Sequence, residues 1–437
     1  MIPLTQMSAQ RIIVVGGGAA GFFAAIAAAE EGARVAILER GARFLDKVRI
    51  SGGGRCNVTN ACFDSRNFAT RYPRGEKALL APFQKFSARD TVAWFETRGV
   101  KLKTEADGRM FPVTDSSETI VDCLLNAAKA AGVELRLNCG VERVARRGGG
   151  GFEVELERRS PTWREPVSLP APQHAGSETG APDETLACDR ILLATGGCRA
   201  AAAGQLAVSL GHALEPPVPS LFTFRIESPW LRTLAGISVG VVGVFVPAAR
   251  LRERGPLLVT HWGLSGPAIL RLSAWGARAL HKLDYRFPLF VNWLPESRPE
   301  KIVREFQARR VASGARLVVN VPLAPLPSRL WEQLVLASGI ARDTRWSALT
   351  RSQTHALTQQ LQRTEFSVTG KSLNQDEFVT CGGVRLGGVN FKTMESKVCP
   401  GLFFAGELLD IDGVTGGFNF QAAWTTGWLA GRAMAAK

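Results

Sequence analysis

A glycine turn directly after an apolar strand limits the folds open to this chain more than any other feature. Arg11–Val15 is short, apolar and rich in β-branched residues, which predicts a buried parallel strand. Gly16, Gly18 and Gly21 follow with the spacing of a dinucleotide-binding turn. Gly16 permits the tight turn, Gly18 lets a pyrophosphate approach the backbone, and Gly21 lets the next helix pack closely on the strand. The pattern predicts an α/β, Rossmann-like fold that binds a dinucleotide at a helix N-terminus.

An acidic residue ends the second predicted strand, Arg34–Leu38. Glu39 lies 18 positions after Gly21, close to the spacing of about 20 that is typical of such sites. A carboxylate at this position accepts hydrogen bonds from ribose hydroxyls and would repel a 2′-phosphate. The combination of strand, turn, helix, strand and acid identifies the site much better than the glycine spacing alone.

The run 12–29 has 18 uncharged residues, which is long enough to be considered as a membrane span. Three consecutive glycines interrupt it, and the dinucleotide turn explains it better. The first ten residues lack the basic and apolar segments of a signal peptide. We therefore expect a cytoplasmic protein with no membrane partner.

Size and composition bound the class of protein. At 437 residues the chain is too long for one ordinary core, so two or three domains are expected. Hydrophobic content of 46% with 21% charged residues excludes disorder for most of the chain. The net charge of +14 suits a nucleic acid, a membrane surface or an anionic cofactor and substrate. Because the Arg and Lys residues are scattered along the chain, nucleic acid is predicted to be an unlikely partner.

The eight cysteines show neither zinc-ligand spacing nor the density of a secreted disulfide scaffold. We expect most of them to be reduced and buried, and we predict no metal site. Cys56 and Cys62 follow the glycine turn, where flavin disulfide reductases carry a redox pair. Five residues separate them, which is not the usual spacing of such pairs, so a redox role is the less favoured alternative.

The pattern along the chain predicts a domain that is split in sequence. Helices are expected at 83–98 and 119–131, short strands between Pro and Gly breaks after residue 203, and helices again at 298–311, 327–338 and 346–362. Residues 160–184, rich in Pro, Ser, Gly, Thr and Glu, are expected to form a surface excursion. The predicted parts are a dinucleotide-binding domain from 1–202 and 377–437, a β-rich domain from 203–296 and 364–376, and a small helical insert at 297–363.

The C-terminal part has the features of a split flavoprotein domain. The apolar segment 401–407 ends in Gly406 and Glu407, and 412–421 leads into a helix rich in Ala, Trp and Gly. In split Rossmann flavoproteins an acid here binds the ribityl–phosphate region, and the helix directs its positive end at the isoalloxazine ring. Residues 194–196 end another apolar strand and predict a passage beside the cofactor, with an ordinary buried strand and turn as the alternative.

Four segments, 49–57, 108–112, 260–267 and 401–431, resemble the bacterial BaiN-like (YhiN-like) FAD flavoproteins, a group that also includes proteins described as aminoacetone oxidases. The Ser-Gly-Gly-Gly-Arg-Cys-Asn run at 51–57 is much more specific than the glycine turn. The resemblance covers nearly the whole chain. It implies an FAD-binding domain made from both ends of the chain, with a β-barrel-like domain and a small helical domain inserted between them.

The predicted FAD-binding residues come from the glycine turn, the acid after the second strand, the 51–57 run, the 194–196 strand end and the C-terminal segment. They are Gly16, Gly18, Ala19, Ala20, Gly21, Glu39, Arg40, Ser51, Gly52, Gly53, Gly54, Cys56, Asn57, Thr195, Gly196, Gly406, Glu407, Asp412, Gly416, Gly417, Phe418, Asn419 and Gln421. One departure from the family pattern is Arg49, which stands where we expect Lys.

The resemblance implies an FAD-dependent oxidoreductase that transfers a hydride between flavin and a small organic substrate. Bile-acid-type reductases of the group reduce an activated C=C bond, and the same reaction is expected here. No second glycine turn follows a strand. NAD(P)H, the candidate electron donor, would therefore bind transiently on the substrate side of the flavin, or another donor would replace it.

Two residues are candidates for the chemistry. His261 lies in the turn 260–267, where a histidine can donate a proton near neutral pH or orient a substrate. A histidine that holds the loop together by hydrogen bonds is the alternative. Arg55 can pair with a phosphate or an anionic substrate, and a structural ion pair is its alternative.

Two other functions remain open from the sequence. An amine oxidase would pass electrons to oxygen and form peroxide. An RNA-associated flavoprotein would use the net charge of +14 to bind RNA in a salt-sensitive way. No pattern predicts the oligomeric state.

Overall fold

The computed structural model describes residues 9–157, 184–198, 201–372 and 379–436. Except for Glu184, the predicted surface excursion at 160–184 lies outside the described residues. The chain forms two compact units. The first consists of Met1–Pro217, Gly382–Ile411 and Gly416–Lys437, and the second of Val218–Cys381 and Asp412–Thr415. The three-part boundaries expected from the sequence stay a prediction.

The first unit begins with alternating helices and strands. Up to the first crossing between the units they are, in chain order, β1 (Arg11–Val15), α1 (Ala19–Glu30), β2 (Arg34–Leu38), α2 (Asp46–Gly54), β3 (Thr59–Asn60), α3 (Ser65–Ala69), α4 (Glu76–Lys85), α5 (Ala88–Glu96), β4 (Leu102–Thr104), β5 (Arg109–Pro112), α6 (Ser117–Ala130), β6 (Glu134–Arg136), β7 (Val141–Arg146), β8 (Phe152–Leu156), β9 (Thr185–Cys188), β10 (Arg190–Leu193), α7 (Ala201–Ser209) and β11 (Leu214–Ser220). Those of the second unit are β12 (Phe224–Ile226), α8 (Pro229–Arg232), β13 (Ser238–Val246), β14 (Leu251–Thr260), β15 (Gly263–Ser265), α9 (Pro267–Trp275), α10 (Ala277–Lys282), β16 (Phe287–Asn292), α11 (Pro299–Ala312), α12 (Ser328–Ala337), α13 (Arg351–Arg363) and β17 (Thr364–Lys371). The remaining ones are β18 (Val379–Val384), β19 (Val389–Asn390), β20 (Glu395–Ser396), β21 (Leu402–Phe404) and α14 (Phe418–Ala435).

A seven-stranded sheet with the order β19-β20-β21-β10-β1-β2-β6 organises the first unit. Its strands β21, β10, β1, β2 and β6 are parallel, and Ile13 of β1 is level with Ala36 on one side and Ile191 on the other. Because β21 comes from the C-terminal part and β1 from the N-terminal part, both ends of the chain build one sheet. The predicted split Rossmann-like fold is confirmed.

Helices α1 and α14 pack with their backbones in close approach. A Cβ atom at Gly427 of α14 would lie 2.4 Å from the carbonyl oxygen of Ala20, and one at Gly431 would lie 2.2 Å from that of Ala24. No side chain other than hydrogen fits at these two positions. The glycines of α14 thus hold the C-terminal helix against the helix of the glycine turn.

The second unit contains a closed six-stranded barrel with the order β12-β15-β14-β13-β16-β17. Its core is shared with the helices, since Phe224 and Val244 of the barrel belong to the same buried cluster as Trp331 and Trp346. The predicted β-barrel-like domain and its helices are confirmed. Helix α13 begins at Arg351 and not at the predicted residue 346, because Thr350 and Gln353 form a capping box there.

The single helix predicted at 83–98 is wrong. The structure has two helices, α4 and α5, with Phe86 in an extended conformation between them. Ser87 and Asp90 form a capping box, in which the Ser87 backbone N–H donates to Asp90 Oδ2 at 2.7 Å. A cap of this kind starts a new helix, and apolar spacing alone does not reveal it.

None of the described helices is both long enough and apolar enough to cross a bilayer.

We expect Gly427→Ala to destabilise the protein. Alanine favours a helix by about 1 kcal/mol over glycine, but the added methyl group would overlap the Ala20 carbonyl and should cause a net loss of about 1–3 kcal/mol. Urea unfolding followed by circular dichroism measures the free energy of unfolding. Gly149→Ala is the control, since no atom lies within 4 Å of a Cβ there. A more stable Gly427→Ala protein would contradict this packing.

A second prediction concerns pH. His212 is buried, with its Nε2 atom 2.7 Å from Ser396 Oγ and its ring against Phe404. Burial lowers the pKa of His212 below the ordinary value of about 6.5. The unfolded chain therefore binds a proton that the folded chain does not, so the contribution of His212 to stability is complete above about pH 6.5 and is lost as the pH falls through the folded pKa.

His212→Asn should flatten this acid-side loss of stability, as measured by urea unfolding across that pH range. The exposed His355 provides the control variant, His355→Asn, which should keep the wild-type slope. Equal slopes in the His212→Asn and wild-type proteins would argue against a titrating His212.

Candidate active site

The glycine turn leaves room at the N-terminus of α1. Gly16 has φ of +112°, and a Cβ there would lie 2.4 Å from the Ala194 carbonyl oxygen. At Gly21 a Cβ would lie 2.0 Å from the Gly16 oxygen, whereas no atom lies within 4 Å of one at Gly18. Gly18 is also the N-cap residue of α1, and as a glycine it has no side chain that could accept a hydrogen bond from the first turn. An uncapped helix N-terminus beside open space suits a pyrophosphate.

Glu39 is held in place at the end of β2. Its Oε2 atom accepts from the Gly17 N–H at 2.8 Å and its Oε1 atom from the Gly41 N–H at 2.7 Å. A carboxylate has about four lone-pair positions, so it can still accept from ribose hydroxyls. The neighbouring Arg40 donates from Nε to Glu157 at 3.0 Å, which engages its side chain in an ion pair.

The run 51–57 leaves the helical conformation in the last turns of α2. Gly52 and Gly53 have φ of +58° and +70°, and Cys56 also has a positive φ of 58°. No atom lies within 4 Å of a Cβ placed at Gly53 or Gly54. Ser51 anchors the loop, because its carbonyl accepts from the Cys56 N–H at 3.0 Å. The loop thus presents bare backbone to the space beside it.

The side chain of Asn57, the last residue of this run, and that of Thr59 attach the run to the start of α14. The hydrogen-bonding groups around Asn57 assign the orientation of its amide, in which the nitrogen donates to the Thr59 carbonyl at 3.0 Å and the oxygen accepts from the Gly417 N–H at 2.9 Å. Thr59 Oγ1 in turn donates to Gln421 Oε1 at 2.7 Å. Gly417 must be glycine, since its φ is +92° and a Cβ would lie 2.3 Å from the Thr59 oxygen. These bonds fix the α14 N-terminus against the 51–57 run.

Thr195 and Gly196 lie beside a charged pair that was not predicted from the sequence. Thr195 Oγ1 is buried and makes no hydrogen bond within the described residues. Lys47 Nζ lies 2.6 Å from Glu407 Oε2 and 4.0 Å from a Cβ placed at Gly196. Lys47 is therefore a further candidate for contact with a bound cofactor. The sequence offered one indication of a role for Lys47, namely its position in the helix that leads into the 51–57 run.

All eight cysteines are free thiols. Burial raises the pKa of the Cys56 thiol to about 12, which suppresses the reactive thiolate. Cys56 is fully buried, and its predicted part in cofactor binding stays a prediction.

Arg55 has structural partners. Its Nη1 atom lies 2.7 Å from Glu105 Oε1 and 3.4 Å from Asp115 Oδ1, and its guanidinium stacks 4.0 Å from the centre of the Phe111 ring. The Glu105 bond raises the pKa of Arg55. This geometry supports the ion-pair alternative, and a catalytic role for Arg55 stays a prediction. Arg49, which departs from the family pattern, likewise pairs with Glu118.

Two of the predicted residues belong to the second unit. Asp412 is fully buried there and accepts a hydrogen bond from Ser220 Oγ at 2.6 Å. His261 lies in the exposed turn between β14 and β15. Their part in binding or chemistry stays a prediction.

The residues of the first unit fit FAD. The uncapped α1 N-terminus and open space at Gly18 suit the pyrophosphate, the Glu39 carboxylate suits the ribose, and the unbonded Thr195 Oγ1 is available to a polar atom of a ligand. Among the described residues no group of three or more His, Cys, Asp or Glu is arranged to hold a metal ion.

A family model described as "HI0933-like protein Rossmann domain" matches residues 10–433. The chain belongs to this family. It is 29% identical over 410 residues to a ribosomal RNA dihydrouridine synthase of Escherichia coli (strain K12), an alignment that covers 91% of each chain. It is 27% identical over 411 residues to a 3-dehydro-bile acid delta(4,6)-reductase of Clostridium scindens, an alignment that covers 92% of this chain and 93% of that one.

The fold is also found among solved structures. A 3-ketosteroid-delta4-(5alpha)-dehydrogenase from Rhodococcus jostii RHA1 aligns with a TM-score of 0.52 over 99% of each chain, at 15% identity. The resemblance to BaiN-like flavoproteins is confirmed by the family match and the bile acid reductase. The chain is an FAD-dependent oxidoreductase.

We expect Gly18→Ala to weaken FAD binding without weakening the fold. No protein atom lies within 4 Å of the added methyl group, so stability should change by less than about 0.5 kcal/mol. The methyl group would occupy the space through which a pyrophosphate approaches, and the Kd for FAD should rise at least about tenfold, or about 1.4 kcal/mol. Titration of apoprotein with FAD, followed by flavin fluorescence, measures it, with Gly149→Ala as control. An unchanged Kd would remove the pyrophosphate from this position.

Proposed function

We propose that this enzyme reduces a C=C bond conjugated to a carbonyl group, with NAD(P)H as the electron donor. The observation that carries the proposal is the chemistry shared by the names of two relatives that differ in substrate. A 3-dehydro, delta(4,6) bile acid has a ketone conjugated to ring double bonds, and dihydrouridine is uridine with its C5=C6 bond reduced next to a carbonyl. Both products arise by adding a hydride and a proton across such a bond.

The proposed reaction consumes one hydride and one proton for each bond reduced. Bound flavin, once reduced by NAD(P)H, would supply the hydride for the carbon β to the carbonyl, and a proton from the enzyme would add to the α carbon. One NAD(P)H is oxidised in each cycle. The chain contributes the binding residues of the first unit and a proton donor.

His261 is our candidate for the proton donor. In the described part of the chain its imidazole makes no hydrogen bond, and the turn is held instead by Thr260 Oγ1, which accepts from the Gly263 N–H at 3.1 Å. The histidine is thus available for a ligand, and its alternative role in holding the loop loses support. Trp262, next to it, is 71% exposed and offers a flat face on which a ring can stack.

The substrate class has two candidates. A small organic molecule with a conjugated C=C bond is the first, as the sequence predicts. A uridine in RNA is the second, and it is favoured by the net charge of +14 and by the name of the dihydrouridine synthase relative. The two candidates share the reaction and differ in how the enzyme binds the rest of the substrate.

Anaerobic stopped-flow absorbance of the flavin tests the reaction. Fast bleaching by NADH or NADPH, slow reoxidation in air and fast reoxidation by a conjugated enone or by uridine-containing RNA are expected. Rapid reoxidation by air with formation of peroxide would replace the proposal with an oxidase. Bleaching by neither nucleotide would remove NAD(P)H as donor.

We expect His261→Asn to slow reoxidation by the substrate about 10²–10⁴-fold, the usual contribution of general acid catalysis. Bleaching by the nucleotide should be unchanged, because that half-reaction does not use the proton donor. His355→Asn changes an exposed histidine of α13 and is the matched control. If His261→Asn kept the wild-type rate of reoxidation, we would abandon the catalytic assignment.

A further inference from the structure

The positive charge of the chain is concentrated in one part of the second unit. Residues 298–363 contain eleven Lys and Arg but only four Asp and Glu. This segment of α11, α12, α13 and their connections thus carries a net charge of +7, half of the +14 of the whole chain. A surface with so uneven a charge attracts polyanions.

Few of these charges are neutralised. In this segment the ion pairs among the described residues are Arg309 with Glu305 and Arg342 with Glu332. The other basic side chains of the segment have no carboxylate of the described chain within the 4.0 Å range of an ion pair.

Tertiary contacts bring together the chain segments that carry four of the remaining arginines. Arg310 donates to the carbonyls of Ser347 and Leu349 at 3.0 and 2.9 Å. The Arg316 carbonyl accepts from the N–H of Trp346 at 3.0 Å, and Trp346 is the residue after Arg345. Arg351 is the first residue of α13 and follows Leu349 by two positions. We call Arg310, Arg316, Arg345 and Arg351 the arginine surface. All four residues are exposed.

The arginine surface has features that an anion would stabilise. Arg310 donates to two backbone carbonyls and has no carboxylate partner among the described residues. Arg351 lies in the first turn of α13, which contains no acidic residue, at the positive end of the helix where a cation is unfavourable. Guanidinium groups also match phosphate oxygens with two parallel hydrogen bonds.

We propose that the arginine surface docks the phosphate backbone of RNA. The proposal rests on the second substrate candidate, a uridine in RNA, and adds to it the part of the protein that would hold the polymer. A run of phosphates matches four neighbouring arginines better than a small neutral enone does. The base to be reduced would be bound elsewhere, so the arginine surface sets affinity without touching the reacting atoms.

The test is a double charge reversal, Arg316→Glu with Arg345→Glu, in the full-length holoenzyme. The probe is a fluorescein-labelled hairpin of ribosomal RNA, followed by anisotropy at several salt concentrations. Loss of two phosphate contacts should lower the affinity at least about tenfold and reduce the slope of log K against log salt by about 1.4 to 1.8. The control, Lys101→Glu with Lys129→Glu, makes the same change in net charge at exposed positions of the first unit and should bind nearly as the wild type does.

The outcomes separate the two proposals. Equal losses in the test and control variants would overturn the arginine surface and leave RNA as a candidate substrate. No binding of the hairpin by the wild-type enzyme, even at low salt, would overturn both the arginine surface and RNA as a candidate substrate. Binding to phosphatidylserine vesicles but not to RNA would assign the surface to anionic lipid and overturn the proposal.

Flavin bleaching by NAD(P)H and reduction of a small conjugated enone, measured on the same preparations, show whether each variant is folded and active. Both should be unchanged in the test variant, because the surface acts on the polymer alone. If the charge reversal prevents folding, Arg316→Gln with Arg345→Gln removes the charges more gently. That variant should still lose at least about tenfold in RNA affinity at low salt, and wild-type affinity would overturn the proposal.

Discussion

The close approach of α1 and α14 is the constraint on which the first unit depends. These helices come from opposite ends of the chain, and they can meet only because Gly427 and Gly431 leave no side chain between the backbones. Their contact also fixes the relation of the glycine turn, which begins α1, to Gly417, which begins α14. We therefore expect a cofactor bound here to use two helix N-termini, whose positions are set by one packing interface.

Some polar groups around these helix ends are hydrogen-bonded within the protein, and others have no protein partner in the described chain. Asn57, Thr59 and Gln421 bond to one another or to backbone, so they position the 51–57 run and are not free to move. Gly18 and Gly53 have empty space beside them, and Thr195 has a buried hydroxyl without a protein partner in the described chain. This division is typical of a preformed binding site, in which the ligand supplies the missing contacts.

The features that indicate the enzyme class and the excess positive charge belong to different parts of the chain. The family and the bile acid reductase relative assign the chain to the FAD-dependent oxidoreductases, and the first unit contains the residues that fit FAD. Half of the excess charge belongs to another part of the chain, residues 298–363. The spacing of the arginines along the chain does not reveal their grouping. The end of α11 and the residues after it contact the segment that precedes α13, and this contact depends on the tertiary structure. There the Arg316 carbonyl accepts a backbone hydrogen bond from Trp346.

Much of the fold could be predicted from the sequence. The glycine turn, Glu39 and the 51–57 run also predict a candidate cofactor site, since they are local patterns with one main physical use. The break between α4 and α5 was missed because the Ser87 cap competes with apolar periodicity. Only the tertiary structure decided the partners of charged and polar side chains. Lys47 meets Glu407 across 360 positions, and Ser220 meets Asp412 across 192. Spacing along the chain carries no information about such pairs, because the packing of distant elements creates them.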